Sequence, residues 1–500
     1  MSNDSLQQII HTLDPTEKRY FKVFASAFKD NSSLIALFDR LDSEKVSDDE
    51  KAPDTRSKNE MAARSNLRKL ILKAMRNYNE DRNRKAELRT AITDIEFLLG
   101  KQLYGEAEKE IKKAVKKAEA RFNYPAHIEL LLKENEIKKQ YRDQQELVEA
   151  FDTRAAQLGQ LIAALSSAAN LTLRGVEWGR YITSFNQANL PKQREFFLHH
   201  IEPTLTEFGK DNSNVLSTLH TNQVLSHYYS MYDEDDKASA LITESKALFR
   251  NHPELRREFF GVYFSMMYNH ASALYQVKSE EESLAIINEL DADFKAASAT
   301  DDISYSSDLK IRHRYALLSG KLRPLCYFKR HAEALPLEQE FQDLSRQKLV
   351  TPNLITNVLL HIRFGSMHFH LHHYPQALRY ISQALDIPGV KSVTQIYLIC
   401  LMAQAACHYM LGDRDLAESK FQNLYKLILA GEGKAFVSKA HLDFIRKVGT
   451  LDLSLPEHRT TAERLIVGMV SNQGDTDWRE FIDPADWLQG LLNGQFVALR

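Results

Sequence analysis

Two stretches late in the chain carry the same pattern of small and large apolar residues. Gly365 is followed twelve residues on by Ala377, then by Ile381, Ala384 and Pro388; Ala405 is followed twelve on by Ala417, with Phe421 and Leu424 after it. Steps of three and four residues place these positions on one face of a helix. Small residues on either side of a turn let two antiparallel helices touch backbone to backbone, and the larger apolar residues seal the pair onto a neighbour. The same step runs from Ala271 to Ser283, with Ile287 and Leu290 behind it, and from Ser226 to Ala238, with Ile242 following and Pro253 closing. Ala107, Ile111 and Ala114 fit the second helix of a pair whose first-helix position is the bulky Ile95. Residues 128–210 and 309–350 read as helical, but the spacing does not fix their phase.

The first 90 residues have a different pattern. Asp14-Pro15-Thr16-Glu17 predicts a helix start, with Asp14 as the cap, Pro15 in the first turn and Glu17 reaching back. Phe21, Phe24 and Phe28 mark its buried face. A second helix carries Leu34, Leu37, Phe38 and Leu41, and a third carries Leu67, Leu70, Ile71, Ala74 and Tyr78. Between them residues 42–60 have almost nothing to bury, which predicts a mobile charged loop. At the other end Trp478, Phe481, Ile482, Trp487, Leu488 and Leu491 crowd one short stretch. They predict terminal helices that cover the last apolar face of a stack, since stacks need such caps; the alternative is a docking motif for another protein.

Composition favours an all-α protein. Glycine is scarce, 18 of 500 residues, against an average of about 7%, which leaves little for phosphate-cradling loops. The length implies several domains or an elongated array. Lys and Arg number 65 against 67 Asp and Glu, so no global field draws the chain to nucleic acid or to a membrane surface. The most apolar segment, 396–411, is short for a membrane span and broken by Gln404 and His408. The opening residues lack the basic and apolar regions of a signal peptide. Cys326, Cys400 and Cys407 read as reduced core residues. Together these features predict a cytoplasmic location.

The recurrence of small-x11-small-x3-bulky, with Tyr374 or Gly412-Asp413 in the turn, resembles the tetratricopeptide repeat, a helix–turn–helix unit of about 34 residues. There are departures: no repeat has the family's tryptophan, and Ala377 to Ala417 spans 40 residues. The opening Leu13-Asp-Pro-Thr-Glu-Lys-Arg-Tyr-Phe-Lys, with Leu37-Phe-Asp after it, resembles the start of uncharacterised bacterial tetratricopeptide-repeat proteins. The resemblance implies a right-handed superhelical stack of antiparallel helix pairs, an α-solenoid, over 88–455. An N-terminal helical domain over 1–87 would precede it and capping helices over 456–500 would follow. It also implies a concave groove lined by the first helix of each pair. Carried over residue by residue, that lining is Gln223 and His227 in one unit, Tyr268, Ser272 and Tyr275 in the next, and Arg363, Ser366 and His370 in a later one. Such a polar and aromatic lining suits an extended peptide backbone. It lacks the lysine-and-asparagine set with which some family members grip a terminal carboxylate.

Other constellations carry less. His361, His368, His370, His372 and His373 form a cluster, but no carboxylate or cysteine stands at ligand spacing, so they read as packing and turn residues and no metal site is expected. Residues 64–89 hold nine basic residues against three acidic ones, most simply a solvated helix face. No nucleotide-binding loop, nucleophile elbow or paired zinc spacing occurs, so neither catalytic residues nor a cofactor is expected. The expected function is a non-enzymatic scaffold that binds a protein or peptide in its groove, with no nucleic acid and no membrane as partner. The alternative is a regulator whose N-terminal block contacts nucleic acid while the repeats sense a peptide. On the groove reading, replacing Tyr268 and Arg363 by alanine would weaken capture and leave stability nearly unchanged.

Overall fold

The structure, a computed structural model, describes residues 5–27, 31–44, 58–80, 84–138, 144–184, 190–209, 214–232, 234–277, 280–299, 307–346, 352–431, 437–471 and 480–496. Among the described residues the regular elements are all helical, with no strand. The chain divides into two compact units, 1–162 with 297–304, and 163–296 with 305–500.

The first unit opens with α1 (Ser5–Thr12), α2 (Pro15–Ser26), α3 (Ser32–Ser43) and α4 (Lys58–Glu80). The start of α2 is the expected capping box. Asp14 accepts from the backbone of Thr16 and Glu17 at 2.7 and 2.8 Å, and Glu17 accepts from the Asp14 N–H at 2.9 Å. Phe21, Phe38, Leu41, Leu67, Ile71 and Ala74 close the core with Leu6 and Ile10 of α1. Asp42 and Ser43 complete α3, and residues 58–60 open α4, so the loop is narrower at both ends than 42–60. Its centre, 45–57, lies outside the described residues, as does Phe28. Next come α5 (Arg84–Gly100), α6 (Tyr104–Ala120) and α7 (Tyr124–Lys138), joined by a core of Leu88, Ile95, Ala107, Ile111, Ala114 and Leu130. They belong to this unit, which therefore runs well past the expected boundary at 87.

The 41-residue α8 (Gln144–Ser184) leads into the second unit. There α9 (Leu190–Phe196), one π-helical turn and α10 (Glu202–Phe208) precede α11 (Val215–Met231) and α12 (Asp235–Asn251). The short α13 (Pro253–Glu258) leads to α14 (Phe260–Val277) and α15 (Glu280–Ala299), then α16 (Ser307–Tyr327) and α17 (His331–Arg346). Next are α18 (Leu354–His370) with α19 (Tyr374–Asp386), and α20 (Thr394–Met410) with α21 (Arg414–Ala430). The chain closes with α22 (Lys439–Lys447), α23 (Pro456–Ser471) and α24 (Pro484–Leu492). Within pairs α11 packs on α12, α16 on α17, α18 on α19 and α20 on α21. Between pairs the first helices pack in order, α11 on α14, α14 on α16, α16 on α18 and α18 on α20.

The small-residue step has the expected physical basis. A Cβ on Gly365 would lie 2.6 Å from Ile381 Cγ1 and 3.3 Å from the Ala377 carbonyl. Ser283 Oγ donates to the Ala271 carbonyl at 2.7 Å across the α14–α15 step, and Ala405 and Ala417 are fully buried. The pair α16–α17, which the spacing does not phase, has Leu322 and Ala334 in its core. Glu338 stands four residues after Ala334, where the other pairs have an apolar seal. Its carboxylate accepts from the Tyr380 hydroxyl at 2.6 Å and meets His368 Nε2 at 3.1 Å.

One turn geometry recurs. Gln102, Phe122, Lys329, His372 and Gly412 all adopt left-handed φ, from 54° to 86°. In each case the next residue donates its N–H to a carbonyl five residues back, as Leu103 to Leu98, Asn123 to Ala118, Arg330 to Leu325, His373 to His368 and Asp413 to His408, at 2.8–3.0 Å. This is the Schellman closure, which satisfies the last carbonyls of the first helix. Only Gly412 adopts it without a Cβ penalty, and the other four each carry about 1 kcal/mol of strain.

Candidate functional site: the first-helix row and the carboxy-terminal segment

Arg363 lies mid-way along α18, whose Asn353 cap accepts from the Thr356 N–H at 2.8 Å. Arg363 as a whole is 2% exposed, and its guanidinium is committed on two sides. Nη1 donates to Ser319 Oγ of α16 at 2.9 Å, and Nη2 donates to Glu480 Oε2 at 2.6 Å. The other oxygen of Glu480 accepts from Arg323 Nε of α16, also at 2.6 Å. A single carboxylate, itself 4% exposed, thus bridges two arginines on neighbouring first helices. One turn beyond Arg363, Ser366 is buried and its Oγ has no hydrogen-bond partner. At the end of α18, His370 Nε2 lies 3.3 Å from the Phe481 carbonyl, and its ring stacks on His331 at 4.4 Å, interplanar 2°. Burial lowers the His370 pKa to about 4 and that of His331 to about 3, so both are neutral near pH 7.

The segment that meets this face is the end of the described chain. Asp483 caps α24 by accepting from Ala485 and Asp486 N–H at 2.8 and 3.3 Å, with Pro484 pre-setting the first turn. Lys329 pairs with Asp486. Trp487 is fully buried in a box of Tyr409, Phe369, Phe444 and Phe421, centroids 5.3–6.2 Å away. Its Nε1 points to Met410 Sδ at 3.3 Å. The helix ends in another Schellman closure, with Gly494 at φ 70° and Gln495 donating to the Gly490 carbonyl at 2.8 Å. Phe496 then folds over Gly490, where a Cβ would lie 2.2 Å from its ring.

The chain matches no protein-family model, no curated protein and no solved structure.

The sequence-derived lining residues separate into three groups. Arg363 and His370 converge on residues 480–481, and Ser366 lies between them on α18. Tyr268 of α14 is half-buried, with its Cε2 3.1 Å from where a Gly320 Cβ would be. Ser272 is half-buried on the same helix, and the side chain of Tyr275 lies outside the described part. Gln223 and His227 sit on α11, with His227 6.5 Å from the Trp178 ring; burial lowers its pKa to about 4. Arg363 is thus a buried, paired residue, and its removal would disturb packing directly, contrary to the expectation of unchanged stability.

The other constellations resolve into packing. His368 contacts Glu338 and His373, while His372 Nδ1 lies 2.8 Å from the Tyr374 hydroxyl. Among the described residues no group of three or more His, Cys, Asp or Glu is placed to hold a metal ion. Cys326, Cys400 and Cys407 are buried free thiols, with burial raising the pKa of all three. No described helix is long and apolar enough to cross a membrane. On α4 the side chains of Arg68, Lys69, Lys73 and Arg76 face outward. Trp478 lies outside the described residues. Sequence reasoning missed Glu480 and Arg323, whose partners are more than a hundred residues away in the chain.

Proposed function

We propose that the protein is a non-enzymatic helical-repeat scaffold of tetratricopeptide-like construction that binds a protein or peptide along its row of first helices. The observation that supports this reading is that part of the row already packs a later segment of the same chain. Residues 480–496 meet α16 and α18 through a carboxylate between two arginines and a backbone carbonyl at His370, while their tryptophan sits in an aromatic box drawn from α18, α20, α21 and α22 and their helix packs on α23. These are the means by which grooves take helical and extended peptides. The earlier first helices α11 and α14 carry the remaining polar and aromatic residues, Gln223, His227, Tyr268 and Ser272, and binding there requires no cofactor.

The test is a peptide-display selection against the full chain, repeated on a Gln223→Ala/Tyr268→Ala variant and on a variant altered on the second helix α12, Thr243→Ala/Lys246→Ala. Selected peptides should bind the first variant at least tenfold more weakly and the second as they bind wild type. The opposite ranking, or no selected peptide at all, refutes the reading.

A further inference from the structure

We propose that the Arg323–Arg363 face of α16 and α18 is a carboxylate-anchored docking site for an acidic–aromatic helical peptide of a partner protein. Residues 480–496 would be its resident stand-in. This rests on the scaffold reading above and names the chemistry of the partner.

Four observations define that chemistry. The wall presents cations and the segment presents acids. Arg323 and Arg363 face Glu480, and Lys329 faces Asp486. A buried carboxylate is then followed seven residues later by a buried tryptophan, and between them Asp483-Pro484 starts a helix on its own. The helix also stops on its own, with Gly494 closing its carbonyls and Phe496 covering Gly490. Its ends are satisfied internally, so the unit starts and stops as an amphipathic helix, the form in which many grooves take their ligands, although here it also packs on α23 and its Trp487 and Leu488 join the core of α18–α23. Finally, the wall offers more hydrogen-bonding capacity than this occupant uses. Arg363 Nε, Ser366 Oγ and both ring nitrogens of His331 are buried without a hydrogen-bond partner. A buried donor left unmade is unfavourable, so a peptide that also reaches these atoms would bind better than the resident segment and displace it. The site would select for an Asp or Glu carboxylate at the first position and an aromatic side chain two turns later. It would reject basic peptides, because an added cation would meet Arg323 and Arg363.

The experiment uses the full chain and a fluorescein-labelled synthetic peptide with the sequence of residues 480–496. Glu480→Lys places a cation between the two arginines and should eject the resident segment. Glu480→Gln with Asp486→Asn loosens it without repulsion. Fluorescence anisotropy should show the peptide binding both variants at least tenfold more tightly than wild type. A peptide carrying Glu480→Gln and Trp487→Ala should bind at least tenfold more weakly. Hydrogen exchange at the amides of α24 should rise in both variants and fall again in the Arg323–Arg363 wall when peptide is added. Three results overturn the proposal. The first is that neither variant takes up peptide while both keep wild-type circular dichroism. The second is that both variants lose their fold, which makes the segment constitutive core. The third is that wild type exchanges segments between copies and ignores free peptide, which makes a second copy the occupant. None of these touches the α11–α14 variants, so failure here is distinguishable from failure of the scaffold reading.

Discussion

Replacing Glu480 by glutamine keeps its shape and removes its charge, which isolates the electrostatics of the bridge. Both carboxylate oxygens are 2.6 Å from guanidinium nitrogens. At charge separations of ~4 Å and an effective dielectric of ~20, each pair interacts by about 4 kcal/mol before desolvation is subtracted. The two arginines respond differently to the loss. The side chain of Arg323 is 27% exposed and can turn to water, whereas that of Arg363 is 3% exposed and cannot. The destabilisation therefore concentrates on Arg363, and removing one partner of such a buried pair costs about 3–5 kcal/mol. We expect about 3 kcal/mol for Glu480→Gln and a similar loss for Arg363→Met. The double variant Glu480→Gln/Arg363→Met buries no uncompensated charge, so it should be no worse than either single variant. That leaves a coupling of about 3 kcal/mol. The assay is urea unfolding followed by Trp487 fluorescence in a background with Trp178→Phe and Trp478→Phe, so that the signal reports on this region. A loss below about 1 kcal/mol for Glu480→Gln, or additive losses in the double variant, would refute a desolvated bridge.

Three further expectations follow from the same geometry. His331 and His370 are held neutral, with folded pKa values of about 3 and about 4, below the ordinary 6.5. Acid therefore protonates the unfolded chain first, and stability is lost as pH falls from about 6.5 toward 4, by up to ~3 kcal/mol per histidine. His331→Phe keeps the ring and removes two unpartnered nitrogens. It should raise the urea midpoint at pH 7 and more so at pH 5, and an unchanged pH slope would count against it. Gln102→Gly should stabilise the first unit by about 0.5–1 kcal/mol, read as a higher melting temperature, because glycine accepts the left-handed turn freely. Gly365→Ala should destabilise by about 1–2 kcal/mol despite alanine's better helix propensity, because its methyl would meet Ile381 at 2.6 Å; a gain in stability would show that α18 and α19 can separate without loss.

Much of the local structure was legible because it depends on residues close in sequence. The α2 capping box, the faces of α3 and α4 and the small-residue contacts of α14–α15 and α18–α19 all follow from spacing within one hairpin. The α16–α17 pair escaped because Leu322 replaces the small residue and Glu338 replaces the apolar seal. A carboxylate satisfied by Tyr380 and His368 is invisible to a pattern of apolar positions. Helix α1 escaped because Leu6 and Ile10 are too few to establish a period. Four of the five recurrent turns gave no glycine signal, since Gln102, Phe122, Lys329 and His372 occupy the left-handed position. Arg363, Ser366 and His370 stand at steps of three and four residues on α18. That its arginine would be buried under Glu480 depends on a contact between residues 117 apart, and no spacing rule carries that information.

The span between Arg323 and Glu480, 157 residues, also sets an order of events during synthesis. Chains emerge amino-terminus first at about 5–20 residues per second. Arg363, the second guanidinium, precedes Glu480 by 117 residues, so for roughly 6–23 s a nascent molecule has both arginines while the carboxylate that will bridge them does not yet exist. Throughout that interval the wall is chemically incomplete and open to any passing acid. On the docking proposal, the arrival of residues 480–496 decides whether the face is handed to a neighbour or claimed by the chain itself.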